Sequence, residues 1–121
     1  CVWDHGGGQG PLGQFWQAAR ELDPSVDDES ERAGTHRGQL QVLFLAAGLS
    51  EVVETSLTVS LEHSSFDEWW EPFTLGVGPA GAYAGTLDEP ARNEVRARCQ
   101  RLFPTAPFTL TTFAWAACGT A

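Results

Sequence analysis

The chain of 121 residues has no lysine; its seven basic residues are all arginine, against sixteen acidic ones, and the net charge is −9. Phosphate backbones are held by clustered Lys and Arg, so this balance argues against a nucleic-acid partner. No apolar run reaches the roughly 18 residues of a membrane-spanning helix, and no secretory leader is visible. Cysteine is sparse and odd in number. Cys1, Cys99 and Cys118 are too few and too scattered for a disulfide framework, so reduced thiols in a cytoplasmic protein are expected. The first residue is Cys rather than Met, which leads to the expectation of further sequence upstream. Metal ligands are missing as a pattern: His36 and His63 are widely spaced and share no zinc-type spacing with the cysteines. Asp27, Asp28, Glu29 and Glu31 lack the spaced ligands and central Gly of a calcium loop, and read as a solvated face.

What is present is a series of periodic segments. CVWD (1–4) reads as the end of a buried strand, followed by the loop GGGQGPLG (6–13). Phe15, Trp16, Ala19 and Leu22 share one helical face, and Pro24 ends that helix. SVDDESERAG (25–34) reads as an acidic surface loop. A second helix over 37–47 carries the stripe Leu40, Leu43, Phe44 and Ala47, with Gly48 placed to cap it. In 51–62, Val53, Thr55, Leu57, Val59 and Leu61 alternate with polar residues, which predicts a strand with one apolar face. Ser65 and Glu68 fit a capping box opening a short aromatic helix that breaks near Pro72. Asp88, Glu89 and Pro90 open a longer helix. Val95, Cys99 and Leu102 face inward on it, and Arg96, Arg98 and Arg101 complement its dipole. The final strand, 108–119, is apolar on both faces and reads as an interior strand covered on both sides. The first two strands, joined by a helical crossover, are expected to be parallel. The class is α/β, in a single domain.

Residues 76–81, GVGPAG, have the G-x-G-x-x-G spacing of a dinucleotide-binding loop. That loop needs a strand before it, a helix after it and an acid about 20 residues further on. Here the preceding residues read as helix, and Asp88, Glu89 and Glu94 fall in the next helix rather than after a strand. A turn or substrate cover is the better reading. GGGQG (6–10) fails on spacing and on the missing acid.

In order and spacing, CVWD with its Gly-rich loop, an FW helix ending in LDP, QLQVLFLAAGLSEVVETSLTV, FDEWWEPF with GVGPAG, and PFTLTTFAWAACG span nearly the whole chain. Together they resemble the C-terminal half of a class I S-adenosylmethionine-dependent methyltransferase of the small-molecule type. The resemblance implies a partial Rossmann-like sheet, with 1–4, 51–62 and 108–119 as strands five, six and seven. The last runs antiparallel between the other two, and residues 64–87 form a helical insertion that covers substrate. The family's cofactor turn and the acid after its second strand have no counterpart in these 121 residues.

The resemblance implies S-adenosylmethionine as cofactor and a small-molecule methyl acceptor as partner. Methyl transfer asks for alignment, exclusion of water and sometimes a base, but no metal. Trp3 and Asp4 end the first strand, where ligands sit in open α/β sheets, and would border the cofactor pocket. They equally suit a core Trp and a turn-capping Asp. His5 is the candidate base, although a lone loop His is more often simply solvated. Trp69, Trp70, Phe73 and Tyr83 are candidates to line the acceptor pocket, or to pack the insertion against the sheet. Three readings follow: a substrate-side portion of a methyltransferase, inactive alone; a non-catalytic binding module that dimerises through the open edge of its first strand; or a fragment with no independent role.

Overall fold

The computed structural model describes residues 1–121. The elements in chain order are β1 (Val2–Trp3), α1 (Gly13–Leu22), α2 (Gln39–Ala46), β2 (Ser50–His63), α3 (Phe66–Thr74), α4 (Gly78–Thr86), α5 (Glu89–Leu102) and β3 (Phe108–Thr120). The fold is α/β with a three-stranded antiparallel sheet of order β1-β3-β2. β1 pairs antiparallel with β3, Val2 opposite Trp115 and Trp3 opposite Ala114. On its other side, β3 meets β2 with numbers rising on one strand as they fall on the other. Ser50 Oγ donates to Thr120 O at 3.4 Å, and Ser60 Oγ lies 3.0 Å from Thr111 Oγ1. β1 and β2 therefore run in the same direction, as expected, but β3 separates them and they share no hydrogen bonds.

The residues group into two compact units. One holds Cys1–Gly13, Glu29–Ser60 and Thr111–Ala121, the other Gln14–Asp28 and Leu61–Leu110.

In the first unit, α2 follows Gly38, whose φ of 84° needs glycine, and no side chain from its own N-cap satisfies the helix start. Glu54 on β2 supplies the acceptors instead. Its carboxylate takes Gly38 N–H at 2.5 Å and Gln41 N–H at 3.1 Å, negative charge at the positive end of the helix. Gly48, at φ 87°, ends α2, and Leu49 N–H closes back on Phe44 O. The expected stripe is only partly inward: Leu40 is buried, Phe44 half-buried, and Leu43 and Ala47 are exposed. α2 is apolar around most of its circumference, so its sequence does not select one buried face. β2 departs further. Val53, Leu57, Val59 and Leu61 are 45–61% exposed, so the apolar face of this strand is uncovered. β3 is not covered on both sides either. Thr112 and Ala114 are buried, Phe113 and Trp115 on the other face are half-buried, and Thr111 is exposed. The acidic segment is less open than its composition implies: Glu29 is buried and adopts φ 66°.

The second unit is built on aromatic packing. Phe15 on α1 stacks on Phe73 of α3 with centroids 4.6 Å apart; Trp69 meets Phe103 edge-on at 4.6 Å, and Phe103 stacks on Phe108 at 4.7 Å. Val95 and Cys99, one turn apart on α5, are fully buried, whereas Leu102 is on the margin of exposure. The capping box is displaced by one residue. Ser65 Oγ accepts Glu68 N–H, but the Glu68 carboxylate reaches back to Ser64, taking its N–H at 2.7 Å and its hydroxyl at 2.5 Å. These two donors hold the exposed Glu68 carboxyl below its ordinary pKa. α3 also runs through Pro72 instead of breaking there. Asp88 Oδ1 accepts Ala91 N–H at 2.9 Å and starts α5, and Arg98 bridges Glu94 and Glu21.

Phe15→Ala removes the fully buried ring that stacks on Phe73. It should cost about 3–5 kcal/mol, read as a lower urea midpoint at unchanged slope.

Candidate functional site

Residues at the end of β1 form a tightly bonded loop within the first unit. Asp4 N–H continues the β1–β3 pairing by donating to Phe113 O at 3.0 Å, and Asp4 O accepts the N–H groups of Gln9 and Gly10. The Asp4 side chain is 5% exposed. Its Oδ1 accepts Trp115 Nε1–H at 2.8 Å and Gly7 N–H at 3.2 Å. A Cβ on Gly7 would collide with that carboxylate, so the close approach requires glycine. A Cβ on Gly6 would run into the ring of His36, which lies over the loop. Thr35, beside His36, is fully buried, and its hydroxyl lies within hydrogen-bond reach of the Ser30 and Arg32 carbonyls.

This geometry answers what the Gly-rich loop can hold. Gly6 N–H goes to Thr35 O, Gly7 N–H to Asp4 Oδ1, Gly8 N–H to His5 O, and those of Gln9 and Gly10 to Asp4 O. Every backbone donor from Gly6 to Gly10 is committed inside the chain. A phosphate cradle needs such donors free to point at the ligand, so GGGQG does not fit the nucleotide part of a cofactor. GVGPAG does not fit either. It follows the C-terminus of α3 rather than a strand, Gly76 and Gly78 take φ of 70° and 65°, and Gly78 opens α4. Gly81 has no room for a Cβ against the Gly76 backbone.

The expected site residues separate. Asp4 is a turn cap with its carboxylate engaged, the second of the two readings its position suits. Trp3, in contrast, is 37% exposed and not part of a core. With Cys1, Val2, half-buried His5, Leu57, Val59 and Ala114 it lines an open groove of about 460 Å³ across the sheet face. His5 and Trp3 are thus brought together on an apolar surface, where the imidazole and the Cys1 thiol are the ionisable side chains.

Of the two readings open to them, Trp69, Trp70 and Phe73 are placed as packing residues. Each is 5–6% exposed. Trp69–Phe73 centroids are 4.9 Å apart and Trp70–Phe73 5.5 Å. Trp70 borders a surface depression, and Asp67, Glu68 and Glu71 make that depression acidic rather than aromatic. Tyr83 is half-buried beside Phe15 and Trp16, and burial, then the Asp23 charge, raises its phenol pKa.

Sequence reading missed Trp115 as the partner of Asp4, Glu54 as the cap of α2, and His36 over Gly6. None has a local signal, because each acts across strands or loops distant in sequence. No three His, Cys, Asp or Glu side chains converge to hold a metal ion, and no helix is long and apolar enough to cross a membrane. All three cysteines are free thiols. Comparison with family models, curated proteins and solved structures finds no match.

Two outcomes follow from these positions. Asp4→Ala leaves the Trp115 indole and Gly7 amide without an acceptor, and should cost about 1–3 kcal/mol in chemical denaturation. Burial pushes the Cys99 thiol up to about 12. In a thiol-reagent titration at pH 8, exposed Cys1 and Cys118 should react in the native protein and Cys99 only after unfolding.

Proposed function

We propose that these 121 residues are the C-terminal, substrate-side portion of an S-adenosylmethionine-dependent methyltransferase acting on a small molecule in the cytoplasm, and that they are inactive alone. The observation that carries the reading is the placement of the last strand. β3 lies between β1 and β2, antiparallel to both, and three helices intervene between β2 and β3. This is the arrangement the resemblance gives to strands five, six and seven and their helical insertion. The groove at the end of β1 supports the same reading, because ligands of open α/β sheets collect at the carboxyl ends of strands.

In this proposal the residues serve the acceptor, not the cofactor. The 121 residues do not fit the cofactor's nucleotide, since the loop donors are already bonded. Trp3, Leu57 and Val59 supply an apolar wall for an aromatic or aliphatic acceptor. His5 accepts the proton of an acceptor hydroxyl or amine. The substrate side is thereby carried by Trp3 and His5 in place of the buried aromatics of α3.

Sequencing the transcript upstream of Cys1 tests the reading directly. A Gly-rich turn after a strand, followed by an acid at the end of the next strand, is the expected result; an upstream coding sequence lacking both overturns it. Calorimetric titration of S-adenosylmethionine into the 121-residue protein should give no binding heat. Micromolar affinity would show that the cofactor site forms without the usual turn.

A further inference from the structure

β2 is an outer strand of the sheet and the longest strand in the chain, at 14 residues. Its free edge makes no backbone hydrogen bond to another segment over residues 53–62. An edge of this length exposes unpaired N–H and C=O groups, and natural proteins blunt such edges with Pro, Lys or a covering element. β2 has no Pro and no Lys. Its apolar residues, from Val53 at 61% to Leu57 at 45%, stand in solvent beside that edge. β1, the edge expected from sequence to pair with another chain, offers only two residues.

We propose that β2 pairs antiparallel with β2 of a second copy of this chain about a two-fold axis at Leu57, giving one continuous six-stranded sheet. The strand's own sequence selects this occupant and this register. A two-fold axis normal to the sheet places one residue opposite itself. With Leu57 there, Thr55 falls opposite Val59, Val53 opposite Leu61 and Glu54 opposite Ser60. The apolar face then continues across the junction, and no carboxylate meets another. Shifting the axis to Thr58 puts Glu54 against Glu62, like charges directly opposed. Shifting it to Ser56 puts Glu51 against Leu61. Both neighbouring registers are poorer, which selects Leu57 over them. The two copies each carry −9, so their long-range repulsion opposes association and salt should strengthen it. This inference rests on β2 alone and stands or falls separately from the methyltransferase reading.

Sedimentation velocity across a concentration series, at low and high salt, reads the association. The wild-type protein should be a dimer, tighter at high salt. Leu57→Glu, at a solvent-exposed position, should keep the circular dichroism of the wild type and weaken association by about tenfold or more. In a Cys1→Ser/Cys118→Ser background, oxidised Leu57→Cys should yield a covalent dimer. Ser56→Cys, which faces Thr58 in this register, should not. A wild-type monomer at all concentrations overturns the proposal and leaves the edge to an extended segment of another protein. A dimer indifferent to Leu57→Glu, or one cross-linked through position 56 and not 57, overturns the β2 register.

Discussion

The sheet depends on where its last strand lies. β3 ends the chain yet occupies the middle of the sheet, and β1 and β2 have no other partner in it. The hydrogen bond from Trp115 to Asp4 joins residues 111 apart in sequence, and the side-chain bonds between β2 and β3 span 51–70 residues. Such closures order long loops before any contact rewards them. The helices between β2 and β3 ease this, because α3 and α5 form on local signals: Ser65 and Asp88 cap them within four residues. The local elements thus shorten the effective loop that β3 has to close.

Segments governed by local chemistry were legible before the structure. α1, α2, α5, β2 and β3 lie within a residue or two of the stretches that periodicity marks, and Gly48 and Asp88 serve as the caps they spell. α4 was not legible, since GPAGAYAGT has no apolar stripe to show a face. Pro72 was misleading for a positional reason. It lies near the end of α3, which continues only to Thr74 beyond it.

The candidate site was less legible than the fold, and the aromatic residues show why. Trp69, Trp70 and Phe73 follow helical spacing, and that spacing is the same whether the rings line a pocket or fill a core. What decides is the supply of partners. Phe15, Phe66, Phe103 and Phe108 come from other turns and loops of the second unit and close over them. Asp4 shows the converse. Its position at a strand end suits a ligand, but an indole and a glycine amide both donate to its buried Oδ1. His5 and Trp3 lack such company and are left facing the groove.

The tryptophans divide between the two compact units. Trp3 and Trp115 belong to the first, and Trp16, Trp69 and Trp70 to the second. Their surroundings differ as sharply: Trp3 is partly in solvent, while the three of the second unit are 3–6% exposed among other rings. The protein therefore carries two sets of optical reporters with different polarity and different access to a quencher. Replacing either set with phenylalanine would leave an emission signal from the other unit alone, so the order in which the two come apart can be followed by light without attaching a label.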